Sequence, residues 1–325
     1  MKTKLLMLGL VMAAMMTTGF TNVQTKNVSP AKEENVVKIT FVGDCTLGSF
    51  KGSSNNFAKY YQENGADYFF NGVKSVFASD DITFVNLEGP LTSHSQELVK
   101  EFSMRGEPEY IDILKSGSVE IANLANNHTR DCGTIGLTDT VNLLQTNGIH
   151  CVGEDYVSGY VVDGITVYCL GYKGWNADTT LMNNIAEDIK ICREVYGADI
   201  VCVEFHWGTE REYVHNKTQE TLAHWTIDNG ADVVVGAHPH VLQDTEVYNG
   251  KLIAYSLGNF CFGGNSNPKD KDTAILSMRF TKDGNYTYEF IPCSVSSVTT
   301  TNDYQPTIVT DETVVARIKG KLKIQ

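Results

Sequence analysis

Positive charge is scarce in this chain: 26 lysines and arginines stand against 39 aspartates and glutamates, a formal net charge of −13. Nucleic acid and anionic membrane surfaces both demand a basic face, so neither is expected as the main partner. An anionic substrate would have to be met by a local metal, arginine or lysine. CxxC pairs are absent among the eight cysteines. Cys169 and Cys202 lie inside apolar strand-like runs, so mostly free, core-packed thiols are expected, with one or two bridges at most, rather than a disulfide framework.

The N-terminal apolar run Leu5 to Met16 is short for a membrane span, and it follows Lys2 and Lys4. A basic start before such a run reads as a secretory signal. There is no A-x-A cleavage site, so a cleaved signal peptide and a retained N-terminal anchor both stand for residues 1–20. No cysteine follows the run directly, which excludes a lipoprotein signal. Residues 21–35, polar and carrying Pro30, read as a linker, and residues 36–325 as a single large domain with a β-rich C-terminal tail. The expected location is extracytoplasmic: secreted, or anchored to the outer face of the cytoplasmic membrane.

From Val36 onward strand and helix patterns alternate, which predicts a layered α/β fold. Strands are expected at Val36 to Val42, Ile82 to Val85, Val119 to Leu124, Ile149 to Val152, Ile165 to Leu170, Ile200 to Phe205, Asp232 to Val235 and Leu252 to Tyr255, with two more near 274–280 and 286–292. Helical spacing covers 55–78 with a break near Gly65, then 135–146, 181–196 and 218–228. An Asp163-Gly164 turn suggests a hairpin between Tyr160–Val162 and the following strand.

Polar residues recur just after these strands. Asp44, Glu88, Asn127, His206, His238 and His240 all occupy that position, with His128 beside Asn127. The carboxyl ends of strands are where open α/β sheets keep their chemistry. Carboxylates, an amide oxygen and imidazoles suit Mn, Fe, Zn or Mg, one or two ions, rather than thiolate-loving metals. A carboxylate between two cations about 3.5–4 Å apart can bridge them, and such a pair clamps a phosphoryl-like group while activating water. Singly, each residue has an ordinary explanation: Asp44 as a turn residue or helix cap, Asn126-Asn127 as a loop pair satisfying backbone groups.

The motifs Val42-Gly43-Asp44, Asn86-Leu87-Glu88-Gly89-Pro90, Leu124-Ala125-Asn126-Asn127-His128 with Asp131-Cys132-Gly133, His206-Trp207-Gly208 with Glu210, Gly236-Ala237-His238-Pro239-His240-Val241 and Tyr255-Ser256-Leu257-Gly258-Asn259-Phe260 occur in this order. The set resembles the calcineurin-like metallophosphoesterase superfamily and, more closely, the capsule-synthesis CapA/PgsA family. The resemblance implies a sandwich of mixed sheets flanked by helices. It also implies a role in synthesis or export of poly-γ-glutamate in the cell envelope, beside membrane synthetase or export proteins.

Carried over by the resemblance, Asp44 and His240 hold a first metal, Glu88 bridges, and Asn127, His206 and His238 hold a second. His128 becomes the outer-sphere histidine that protonates a leaving group or steadies a bound oxyanion. Two positions depart from the superfamily pattern. Thr46 stands where a histidine is usual, and Glu88 replaces the usual bridging aspartate, so the first metal is one ligand short.

For an anionic substrate Arg105 is the first candidate, since its loop runs between two motif-bearing strands and its planar fork suits a carboxylate or phosphate. Glu210 and Tyr213 are further candidates for the cleft, with Arg211 and Lys173 more simply read as solvated side chains. Two functions are consistent with these residues. One is a metal-dependent hydrolase acting on a phosphoester or related bond of an anionic polymer or a phosphorylated small molecule. The other is a non-catalytic factor that holds a polyglutamate chain.

Overall fold

A computed structural model describes residues 35–54, 56–95 and 100–324. The expected signal segment and the linker as far as residue 34 lie outside the described residues. The first half comprises β1 (Val36–Thr46), β2 (Ser49–Phe50), α1 (Phe57–Asn64), α2 (Asp67–Phe70), α3 (Lys74–Phe77), β3 (Ile82–Leu87), β4 (Met104–Arg105), α4 (Ile111–Ser116), β5 (Ile121–Asn123), α5 (Gly133–Thr146) and β6 (His150–Val152). There follow β7 (Ser158–Val162), β8 (Ile165–Gly174), α6 (Thr179–Glu194), β9 (Ile200–Trp207), α7 (Lys217–Asp228), β10 (Val233–Ala237), β11 (Thr245–Tyr248), β12 (Lys251–Ala254), β13 (Asn259–Phe262), β14 (Asp272–Thr281), β15 (Tyr286–Ser294), β16 (Thr307–Ile308) and α8 (Glu312–Leu322).

One sheet has the order β16-β15-β14-β1-β3-β5-β6, with β13 also paired to β1, and a second runs β11-β12-β10-β9-β8-β7. Strands β1, β3, β5 and β6 are parallel, as are β8, β9, β10 and β12. Both faces of these central strands are covered, which explains their near-continuous apolar runs.

Strand alternation sorts the side chains into layers. In β9, Ile200 and Cys202 pack between the sheets with Val233 and Val235 of β10 and Phe41 and Phe84 of the other sheet. Val201 and Val203 turn outward onto Ile185 and Ile189 of α6 and Leu222 and Ala223 of α7. On the far side, Val85 and Leu87 of β3 pack with Leu137, Val141 and Leu144 of α5. The result is four layers, helix, sheet, sheet, helix. The inward rows of β3 and β9 end in Asn86 and His206, so the same alternation that fills the core delivers polar groups to one end of it.

The hairpin expected around Asp163-Gly164 forms between β7 and β8. The helical stretch 55–78 is three short helices, interrupted first at Gly65, whose φ is 76°. The tail expected to be β-rich carries β14, β15 and β16 but closes on a helix, α8. Its signals were Asp311, which caps it by accepting from the backbone N–H of Thr313 and Val314, and the four-residue spacing of Val314, Ile318 and Leu322. All eight cysteines are buried free thiols. Among the described residues, no helix is long and apolar enough to cross a membrane.

Candidate metal centre

The site forms where β1, β3, β9 and β10 end together. Asp44 closes in on the neighbouring chain, its N–H donating to the Gly258 carbonyl at 2.9 Å. Gly43 permits this approach, because a Cβ there would lie 1.8 Å from the Gly258 oxygen. Beyond β10, His238 and His240 both take left-handed backbone conformations, φ 95° and 58°, on either side of Pro239. Such residues cost roughly 1–3 kcal/mol each and persist where the surroundings hold them. Here the Arg211 N–H donates to the Pro239 carbonyl at 2.8 Å, and the His238 N–H reaches Asp44 Oδ2 at 3.2 Å.

The side chains converge on Glu88, which is almost fully buried. Its Oε1 lies 3.7 Å from His206 Nε2, 3.8 Å from His128 Nε2 and 4.0 Å from His240 Nε2. These separations exceed hydrogen bonding, and Glu88 Oε1 and His238 Nδ1 are buried without a hydrogen-bond partner. Ligand atoms of Glu88, His238 and His240 all lie within 4.8 Å of one another. Nitrogen and oxygen ligands about 2.0–2.2 Å from one tetrahedral ion stand about 3.4 Å apart, so the donor set suits a divalent metal and the side chains would draw slightly closer around it.

Around this centre Asp44 Oδ1 accepts from Asn86 Nδ2 at 2.7 Å, and Asp44 Oδ2 lies 3.1 Å from His240 Nδ1. His206 Nε2 is 2.8 Å from Asn127 Oδ1, and His240 Nδ1 is 2.9 Å from Asn259 Oδ1. Burial, reinforced by the charge of Asp44, pushes the Glu88 carboxyl up to about 7. Burial and then the neighbouring His240 push His238 down to about 4, and burial with the other histidines holds His206 well below its ordinary value. Both are therefore neutral, the state a metal needs. Burial also opposes charge on His240, but Glu88 and Asp44 outweigh it and carry His240 up to about 10. The site is thus prepared for positive charge: two carboxylates attract it, and in its absence a proton on His240 supplies it.

His128 stands on the opposite wall. Its Nδ1 is 2.6 Å from Asp131 Oδ2, a buried carboxylate that also accepts from the Met104 N–H at 2.5 Å. Lys100 Nζ lies 2.5 Å from the other Asp131 oxygen and donates to the Asn127 carbonyl at 3.1 Å. With Nδ1 given to Asp131, the ring turns Nε2 toward Glu88 and the centre.

All six expected metal ligands and His128 therefore come together. The carry-over placed His238 and His240 on different ions bridged by Glu88, and the ligand atoms of these three residues are indeed mutual neighbours. At Thr46 the hydroxyl lies 3.4 Å from Glu88 Oε2, a hydrogen bond where the superfamily has a ligand. Glu210 is exposed at the rim, and its charge is felt by Glu88, His238 and His240. The Arg105 guanidinium is occupied by Glu107, at 2.5 and 3.1 Å, and by the Thr92 carbonyl at 2.7 Å. Tyr213 points elsewhere: its hydroxyl donates to Asp270 at 2.9 Å and Lys321 lies over its ring. Lys173 pairs with Glu154 at 2.5 Å.

The sequence does not single out Asn86, Asp131, Asn259 or Trp175. Asn86 and Asp131 lay inside quoted motifs, and their positions, two before Glu88 and three after His128, were the available signals. Nothing in the sequence marks Trp175 as adjacent to His238.

The fold and its strand ends define a class, the four-layer α/β sandwiches that gather imidazole, amide and carboxylate side chains at one end of the core. Within that class the chain belongs to the family of bacterial capsule synthesis proteins, PGA_cap, which it matches over residues 38–264. It is 32% identical over 286 residues to the PGA biosynthesis protein CapA of Bacillus subtilis (strain 168), covering 82% of this chain and 73% of that one. It is 30% identical over 303 residues to the capsule biosynthesis protein CapA of Bacillus anthracis, covering 84% and 71%. Among solved structures it is similar to the Thermus thermophilus sulfate thiohydrolase SoxB, with a TM-score of 0.47 and 12% identity over 91% of this chain and 62% of that one.

Proposed function

We propose that the protein is an exported, metal-dependent hydrolase that serves capsule or poly-γ-glutamate synthesis, cutting a phosphoester or related bond in an anionic envelope polymer or its phosphorylated precursor. The relatives' names supply the biological setting, and the N-terminal run Leu5 to Met16 supports export. The observation that carries the chemistry is the His128–Asp131 pair, aimed across the centre at Glu88. A module that only held a polymer would gain little from a buried carboxylate orienting a histidine toward the ligand set.

Glu88, His206, His238 and His240, with Asp44 and Asn127, would hold one or two divalent ions. A bound ion would supply Lewis-acid polarisation and an acidified water. His128 would carry the proton: Asp131 fixes the ring through Nδ1, and Nε2 would deliver the proton to the departing oxygen. Glu210 at the rim adds negative charge, so the metal, not the outer protein surface, draws an anion in.

One observation favours a second reading, that of a polymer-binding assembly factor: Thr46 donates a hydrogen bond to Glu88 where the superfamily has a ligand. Metal analysis of purified protein, then a phosphodiesterase and polymer-cleavage screen with added Mn²⁺, decides between them. The hydrolase should bind at least one ion per chain and turn over, and His128→Ala should lose on the order of 10²–10⁴ in rate. Less than one ion with no turnover in excess Mn²⁺ would sink the hydrolase reading.

A further inference from the structure

The chain has three tryptophans, and two are spent on the core. Trp207 is fully buried and donates its indole N–H to the Tyr255 carbonyl at 2.9 Å; Trp225 donates to the Met182 carbonyl at 2.8 Å. Trp175 differs in both respects. It is 47% exposed, and among the described residues its indole N–H has no protein partner. Its ring packs on the site: it stands perpendicular to His238 at 4.7 Å between centroids and to His206 at 5.8 Å.

This placement is built by the fold. Trp175 follows directly on β8, whose last residues Lys173 and Gly174 pair with His206 and Trp207 of β9. Gly174 is seated tightly, since a Cβ there would meet Leu222, Phe205 and Trp207 at 3.0–3.2 Å. The strand end therefore has little freedom, and the indole is held against the same imidazoles that would carry the metal. A large apolar ring left half open to water still has burial to gain, which a bound group can supply.

We propose that Trp175 is the specificity wall of the substrate cleft: it packs against the organic substituent of an oxyanion bound at the His206–His238 side of the metal centre. The proposal rests on the metal-centre reading and adds a substrate class to it, tetrahedral oxyanions carrying a carbon substituent in preference to the bare anion. The exposed indole covers the substituent, and its free N–H is available to an acceptor there.

The test uses Mn²⁺-loaded full-length protein and two probes that share a tetrahedral oxyanion, inorganic phosphate and phenylphosphonate, with affinities read by calorimetry. Trp175→Ala should weaken phenylphosphonate by about tenfold, the scale of an aromatic contact, while phosphate stays within about twofold. Trp175→Phe should retain most of the phenylphosphonate affinity, which guards against a misfolded alanine variant. Phenylphosphonate should also change the tryptophan emission of wild type and not that of Trp175→Phe. Equal losses for both probes in the Phe variant, or phenylphosphonate affinity unchanged in the Ala variant, would overturn the proposal. Wild type that binds Mn²⁺ and neither probe would overturn it while leaving the metal site intact; wild type that binds no Mn²⁺ would remove the site itself.

Discussion

Glu204 offers the sharpest test of how this core is charged. It lies on β9 two residues before His206, on the face between the sheets, and is 1% exposed. No hydrogen bond of ordinary geometry reaches either carboxyl oxygen, and the nearby Asn123 amide offsets the effect of burial only in part. Burial first, and then the charge of Asp44, raises this carboxyl well above its ordinary 4.5. An ionised carboxylate there would lack solvent and sufficient partners, so the folded protein holds the neutral acid. The unfolded chain ionises it near its ordinary value. A folded pKa above the unfolded one means stability that is fully present below the unfolded pKa and is lost as pH rises toward the folded one. While the folded state keeps the proton and the unfolded state does not, the loss runs at about 1.4 kcal/mol per pH unit. Glu204→Gln keeps size and shape but cannot titrate, so every other acid cancels in the comparison. From pH 5 to pH 7 the variant should gain steadily on wild type, by no more than about 1.4 kcal/mol per pH unit. Urea unfolding of metal-free protein in chelator at pH 5, 6 and 7 measures it, as a midpoint difference that widens with pH at unchanged slope. A difference that stays flat across that range, or that favours wild type at pH 7, would refute a neutral Glu204.

Asp131→Asn keeps the size of the side chain that receives the Met104 N–H but loses the charge behind His128, and turnover should fall on the order of 10–100-fold with KM little changed. Steady-state kinetics on a detected substrate checks it, and an unaltered kcat would remove Asp131 from the mechanism. Gly43→Ala should cost at least ~2 kcal/mol, because the new methyl collides with the Gly258 carbonyl and pushes β1 away from the strand that follows it; thermal unfolding against wild type measures the loss. All eight thiols should resist an aromatic disulfide reagent in the native protein and titrate fully in denaturant, since each is buried and burial pushes Cys151 and Cys192 up to about 12; rapid labelling of native protein would contradict the packing described.

The layered fold was legible because period-2 apolar runs and turn residues are local signals. The boundaries that moved did so for tertiary reasons. β9 runs on through His206 and Trp207 because both find partners, His206 with Asn86 and Asn127 from the other sheet and Trp207 with Phe205 of its own strand and the Tyr255 carbonyl of its own sheet. Asn259 to Phe262 forms β13, whose pairing with β1 depends on Gly43 permitting the approach of Gly258. The ligand set was legible as residues in an order. What surrounds it was not, because Asp131, Asn86, Asn259 and Trp175 reach the site through contacts that no spacing encodes.

Those surrounding contacts also bear on the missing histidine. Asp44 is occupied by Asn86 and the His238 N–H, and His240 Nδ1 is shared between Asp44 and Asn259. His240 Nε2 is the ring atom that faces Glu88. The ring can thus donate through Nδ1 to oxygen acceptors and present Nε2 as a neutral ligand, the arrangement that fixes tautomer and orientation in metal-binding histidines. Asp44 then acts as much by orienting His240 and anchoring the His238 backbone as by ligation. In that role it has no need of a histidine at position 46, and the Thr46 hydroxyl serves instead to hold the second oxygen of Glu88. Glu88, His238 and His240 remain the three residues whose ligand atoms cluster.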